Sequence, residues 1–290
     1  MTTVPGEQTR NEANKTPVVS NLALRLITVL VVAPPVLFLS YIGGWPWTIA
    51  VCLGAVLGAL EFYILARGRE IQGSSLTGIP MVVLVVLAFH WQQPLLWQVA
   101  LLIGALATLM LEMIRHPYQL RRSLLQSLTT LLGVFYIAFP LAFLVAIRSF
   151  PDGFIWLALV YALTWGTDTF AYLGGRVFGK TKLAPLLSPK KTVEGAVVGI
   201  IGGILPAAIL LAFNNKLSTA TLLLIGLGPL VAIFGDLGES GLKRIFQVKD
   251  SHVEGLDILP GHGGVLDRID SLLLVAVLCY GFLAFPGLSL

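Results

Sequence analysis

The sequence predicts an all-α, polytopic membrane bundle of about nine transmembrane helices, with its N-terminus in the cytoplasm and its C-terminus outside. Three observations predict it: composition, the length of the apolar runs, and the placement of the basic residues. Of 290 residues, 56% are hydrophobic and 12% charged, against roughly 25% charged in soluble domains; mean hydropathy is +0.87. A soluble chain of this size cannot hide so much apolar surface, whereas a lipid-embedded one can.

Runs able to cross a bilayer fall at about 22–43, 46–66, 76–91, 94–114, 123–147, 154–174, 193–213, 217–237 and 264–286. Pro34-Pro35 interrupts the first run and is expected to kink it. The third is short, and Gln92-Gln93-Pro94 leaves only a tight hairpin before the fourth. Residues 1–19 are polar and lack the apolar centre of a cleavable signal, so a disordered cytoplasmic tail is expected there. Trp45, Trp47, Trp91 and Trp97 sit near outer ends, where an aromatic belt belongs. Cys52 and Cys279 fall inside apolar runs and read as small hydrophobes, with no metal or disulfide spacing.

The basic residues test the count independently. Arg10, Lys15 and Arg25, then Arg67 and Arg69, then Arg115, Arg121 and Arg122, then Arg176, Lys180, Lys182, Lys190 and Lys191, and last Lys243, Arg244, Lys249 and Arg268 occupy alternate connections. Of the 19 basic residues only Arg148 and Lys216 fall on the other side. That is the positive-inside pattern, and a wrong number of spans would scramble it.

Charge also divides the chain. Before residue 150 ionisable groups keep mostly to short loops, with Glu61 and Glu112 as exceptions near helix ends. From Asp168 onward come nine of the 15 acids and every dense charged motif. No internal repeat is evident, which weighs against repeat-built transporters. The expected organisation is therefore the tail at 1–19, a transmembrane scaffold at 20–150, and a transmembrane catalytic region with cytoplasmic loops at 151–290.

Three clusters carry chemistry. In Gly235-Asp-Leu-Gly-Glu-Ser-Gly-Leu-Lys-Arg244, helical spacing places Asp236, Glu239, Ser240 and Lys243 on one face. An acid at membrane depth needs a partner or a water-filled cavity; the plainer reading is a helix-end salt bridge to a neighbouring lysine. In Pro260-Gly-His-Gly-Gly-Val-Leu-Asp-Arg-Ile-Asp-Ser271, glycines around His262 permit a sharp turn and close approach to a ligand. Asp267, Asp270 and Ser271 then share a face at the start of the last helix. Capping accounts for Asp267 alone, but not for a second acid one turn later. Two acid-bearing helix ends beside one loop suggest hard oxygen ligands for Mg²⁺, completed by substrate phosphates. The third cluster is Asp168-Thr-Phe-Ala-Tyr172 followed by residues 175–192, which hold five cations and no acid. Topology explains their sign, and their density makes a positive well for polyphosphate or anionic lipid headgroups. His90 and His116 read as satisfied polar residues at helix ends.

These residues resemble a known signature. Ser240-Gly-Leu-Lys-Arg, Lys249-Asp250, Pro260-Gly-His-Gly-Gly and Leu266-Asp-Arg-Ile-Asp270 are similar to the motif of the phosphatidate cytidylyltransferases, or CDP-diacylglycerol synthases. Asp168-Thr-Phe-Ala-Tyr172 and Ser188-Pro-Lys-Lys-Thr-Val-Glu-Gly195 look like two further motifs of that family. The resemblance covers residues 165–271; the earlier half agrees only as a bundle of helices. Residues 251–259 form a longer stretch than the family usually has there, and Gly166-Thr167 stands where Asn is common before the Asp.

The resemblance implies a multi-pass enzyme, often a homodimer, which moves CMP from CTP to phosphatidic acid with Mg²⁺; the charge pattern above puts its site at the cytoplasmic face of the inner membrane. Asp236 and Asp267 match its metal-binding acids. The expected catalytic set is Asp236, Ser240, Lys243, Arg244, His262, Asp267 and Asp270. Substrate contacts are expected from Asp168, Arg176, Ser188, Lys190, Lys191, Lys249, Asp250 and Arg268. CTP, phosphatidic acid and the bilayer are the expected partners, and nucleic acid is not. The rivals are a CTP-dependent enzyme of another lipid, an ether-lipid phosphate or a polyprenol, and a membrane transporter.

Overall fold

The computed structural model describes residues 21–67, 71–246 and 264–285, with side chains from residue 31 onward. The expected tail, Arg69, Lys249, Asp250 and His262 lie outside the described residues. Along them run α1 (Asn21–Ile42), α2 (Gly44–Leu65), α3 (Ser75–His90), α4 (Pro94–Arg115), α5 (Leu120–Ser149), α6 (Gly153–Phe178), α7 (Val193–Phe213), α8 (Thr219–Ile245) and α9 (Leu266–Ala284). An antiparallel hairpin, β1 (Lys182–Ala184) and β2 (Ser188–Thr192), separates α6 from α7. The molecule is nearly all helix, and six helices, α2 and α4 to α8, are long and apolar enough to cross a membrane. Val31–Ile42 and α3 are shorter apolar helices. In α9 the charges Asp267, Arg268 and Asp270 crowd the first turns, and an apolar run follows.

Each rod falls on an expected apolar run, with informative differences. α1 continues through Pro34 and Pro35 as one helix. α5 contains a π turn at Val134–Ala138, just ahead of Pro140. Proline has no N–H for the carbonyl four residues back, and a widened turn accommodates that gap. Trp47 is not a belt residue: it is 4% exposed, and its indole N–H donates to the Leu144 carbonyl at 3.3 Å. The belt reading placed it by sequence proximity to a helix end, but its helical phase turns it into the core. Cys52 and Cys279 are free thiols, half-buried and buried. His90 meets the Thr48 hydroxyl at 2.8 Å.

The core is built from Phe62 of α2, Ile137 and Leu144 of α5, Leu157, Leu159 and Leu163 of α6, and Leu273 of α9, all fully buried. Outward faces of α4, α7 and α8 are apolar as well: Leu102, Leu106, Val197, Ile201, Leu223 and Phe234 are exposed. An apolar exterior around an apolar core suits a lipid solvent and would be a liability in water.

Two close approaches position the site. α6 lies along α7, where glycine lets the backbones meet. A Cβ at Gly199 would stand 2.8 Å from the Thr167 carbonyl, and one at Gly195 2.8 Å from the Ala171 carbonyl. This seats the Asp168 turn of α6 against α7. Likewise a Cβ at Gly235 would stand 2.7 Å from the Asp270 carbonyl, so α8 and α9 touch where their acids lie.

Candidate active site

The acids and cations of the expected clusters meet in one cavity of about 510 Å³. α6 contributes Asp168, Tyr172 and Arg176; the hairpin contributes Ser188, Lys190 and Lys191; α8 contributes Asp236, and α9 contributes Asp267, Arg268 and Asp270. One wall is therefore acidic and the facing hairpin basic.

The hairpin holds its shape through local bonds. The Glu194 carboxylate accepts the backbone N–H groups of Lys180 at 3.0 Å and Thr181 at 3.1 Å, and Val193 N–H donates to the Thr181 carbonyl at 2.9 Å. The Thr192 hydroxyl caps α7 by accepting Gly195 N–H at 3.2 Å, a contact worth about 1 kcal/mol. The Ser-Pro-Lys-Lys-Thr-Val-Glu-Gly run is thus a strand, a cap and a strap, presenting Ser188, Lys190 and Lys191 to the cavity.

On the acidic wall the Ser271 hydroxyl donates to Asp168 at 3.0 Å, linking α9 to α6. Ser271 N–H donates to the Asp270 carboxylate at 2.6 Å, and Asp270 is buried. Asp168, Asp236 and Asp270 lie close enough for their charges to repel. Lys191 offsets this by an ion pair with Asp236. Lys243 bridges α8 and α9, pairing with Glu239 at 2.9 Å and with Asp267. The plainer reading of the α8 cluster, a salt bridge to a nearby lysine, therefore describes Glu239, while Asp236 reaches across to the hairpin. Arg176 and Lys190 pair with no acid among the described residues.

Nine expected site residues line the cavity: Asp168, Arg176, Ser188, Lys190, Lys191, Asp236, Asp267, Arg268 and Asp270. Ser240, Lys243 and Arg244 do not. Lys243 serves the two carboxylates, and Arg244 donates from Nε to the Leu187 carbonyl at 3.4 Å, holding the hairpin tip beside α8. Sequence reasoning missed Ser271's bond to Asp168 and the strap made by Glu194; the motif contained both residues without indicating their partners. Among the described residues no three His, Cys, Asp or Glu side chains form a metal-binding group.

Comparison with known proteins completes the description. The model of the cytidylyltransferase family matches residues 23–285. A phosphatidate cytidylyltransferase of Brucella abortus is 33% identical over 269 residues, covering 91% of this chain and 93% of the relative. One of Rickettsia conorii is 37% identical over 216 residues, 71% of this chain and 87% of the relative. One of Staphylococcus haemolyticus is 41% identical over 159 residues, 53% and 58% of the two chains.

Proposed function

The chain belongs to the cytidylyltransferase family, and from that premise we infer that it makes CDP-diacylglycerol and pyrophosphate from CTP and phosphatidic acid. The observation that carries this reading is the single cavity in which acids of α6, α8 and α9 face the cations of one hairpin. The relatives' names supply the substrates, and the cavity's chemistry suits them.

The reaction joins a phosphate oxygen of phosphatidic acid to the α-phosphorus of CTP and breaks the bond to the pyrophosphate oxygen. The nucleophile is already anionic near neutral pH, so no strong base is needed. Repulsion between anions and in-line placement are the obstacles. Arg176 and Lys190 are positioned to hold phosphate oxygens, the arginine by a two-pronged contact. Arg268 stands beside the acids on α9 and, with Arg176, Lys190 and Lys191, is one of four cations lining the cavity. Asp168 and Asp270, fixed by Ser271, orient the acidic wall.

The donors fit Mg²⁺, which commonly binds through one or two carboxylates plus substrate phosphates; that preference agrees with acids in one cavity and no three-acid cage among the described residues. Asp236 and Asp267 would hold the ion, which would neutralise charge on the bound phosphates and the leaving pyrophosphate. Lys191 and Lys243 form ion pairs with these two carboxylates.

The same reading makes the protein a nine-span enzyme of the inner membrane, N-terminus inside and C-terminus outside, with residues 20–150 as scaffold, residues 151–290 as the catalytic region at the cytoplasmic face, and two copies associating as a homodimer. A lipid substrate accounts for the location: the headgroup reaches the cavity while its acyl chains stay in the bilayer.

Purified protein given CTP, phosphatidic acid and Mg²⁺ should release pyrophosphate. Asp236→Asn or Asp267→Asn should lower that rate by at least 1,000-fold, about 4 kcal/mol of barrier, with insertion and folding intact. Near-normal turnover in either variant would remove the metal assignment. No CTP-dependent pyrophosphate from the parent protein would remove the function.

A further inference from the structure

We propose that Glu61, on α2 of the N-terminal half, is a positioning residue that grips the start of α9 and so sets where Asp267 and Asp270 stand. The inference rests on the reaction assigned above and goes beyond it, because no site motif includes any residue of α2.

The first N–H groups of a helix have no partner within it. In α9 the residue before the helix, Val265, provides no side-chain cap. Glu61 fills that role from 204 residues away. Its Oε1 accepts Val265 N–H at 2.7 Å and its Oε2 accepts Leu266 N–H at 2.7 Å. A carboxylate held by two backbone N–H groups at a positive helix end is a strong, directional contact. Glu61 is itself 9% exposed, so water competes poorly for those bonds.

Two neighbours on α2 make this a clamp. One turn earlier, a Cβ at Gly58 would stand 3.4 Å from Ile269 Cδ1, so α2 and α9 are packed there. One residue later, the Phe62 ring meets Phe246 edge-on at 5.8 Å, at the end of α8. α2 therefore touches the last turn of α8 and the first turn of α9, the two ends that bring the acids together. Asp267 lies one residue past Leu266, so an error in the cap becomes an error in the acid. A displacement near 1 Å at a reacting centre can cost about 100-fold.

Glu61→Gln keeps the size but offers one acceptor oxygen and sets an NH₂ against an N–H. It should lower kcat by about 10- to 100-fold while KM for CTP changes less than threefold, because Arg176 and Lys190, the cations assigned to phosphate capture, stand on α6 and the hairpin, away from α9. Hydrogen exchange measured on detergent-solubilised protein should quicken in the peptide covering 264–272 and stay unchanged elsewhere. Glu112→Gln, removing a buried acid that pairs with Arg115 and lines no part of the cavity, should change neither. Unchanged exchange at 264–272 in Glu61→Gln overturns the grip, whatever the activity. Altered exchange there with kcat within twofold of the parent overturns the positioning role, as does a kcat loss matched by equal loss of folded protein. If the parent released no pyrophosphate, the function reading would fall, and the exchange data alone would still decide whether Glu61 holds α9.

Discussion

Lys190 and Lys191 are adjacent in sequence and differ in their surroundings. Lys191 is half-buried and paired with Asp236. Lys190 is exposed and pairs with no acid among the described residues. The first neutralises an acidic wall; the second is free to meet an incoming phosphate. Lys190→Ala should therefore act on capture, raising KM for CTP about tenfold, the worth of one charge-assisted hydrogen bond, with kcat nearly constant. Added salt should weaken capture by the parent more than by this variant, since screening and truncation remove the same attraction. Lys191→Ala should lower kcat instead, by leaving Asp236 without its counter-charge. Steady-state kinetics at two ionic strengths separate the two; equal effects on KM from both substitutions would refute the division. The Ser-Pro-Lys-Lys-Thr motif was legible in the sequence, yet its two lysines were indistinguishable there, because only the fold places Asp236 opposite one of them.

Among the elements, convergence of α8 and α9 depends on Gly235. A methyl there would stand 2.7 Å from the Asp270 backbone carbonyl, and backbone yields less readily than side chains. Gly238, three residues on, has nothing within 4 Å of its Cβ direction. Gly235→Ala should destabilise by about 1–3 kcal/mol through overpacking and lower turnover by parting Asp236 from Asp270. Gly238→Ala should be neutral or stabilising by up to about 1 kcal/mol, since alanine is the better helix former. Thermal unfolding in detergent and pyrophosphate release measure both, and identical behaviour would show that helix approach at residue 235 is not limiting. The sequence announced these helices because an apolar run of some twenty residues has few other fates. The apolar run of α8 ends near 237, and the helix runs on to Ile245, in keeping with the helical spacing of Asp236, Glu239, Ser240 and Lys243 and helped by the Glu239–Lys243 pair at i, i+4. The hairpin was hidden: β1 has three residues and β2 five, too few to show alternation, and Pro189 argues against a strand. Glu61 was hidden for another reason, since nothing local in a lone acid near a helix end names a partner 204 residues away.

For the whole molecule, the arrangement of charge predicts how the bundle sits in the membrane. The two basic residues that break the positive-inside pattern are both tied down at one end of the bundle. Arg148 donates to the carbonyls of Ser40 at 2.7 Å and Tyr41 at 2.8 Å, closing the end of α1, and Lys216 pairs with Asp152 at 2.7 Å. Two such residues stand there against the many gathered near the cavity, and it is the count of Lys and Arg in short loops that sets orientation. Lys191 and Arg268 line the cavity with the acids, Lys243 pairs with Asp267 of that lining, and the hairpin beside them carries Lys182 and Lys190, with Lys180 just ahead of it. A chain inserted with the cavity outward would have to move that whole cluster across the bilayer; the orientation with the cavity inward moves only Arg148, whose charge two carbonyl oxygens solvate, and Lys216, which Asp152 offsets. Single cysteines in a background lacking Cys52 and Cys279 can read the outcome. Lys182→Cys, on the hairpin, should react with a membrane-impermeant maleimide only in inside-out vesicles. Asn214→Cys, at the end of α7, should react only in intact cells. Labelling of both from one side would mean that α7 does not cross the membrane, and the reverse pattern would put the cavity on the side where CTP is absent.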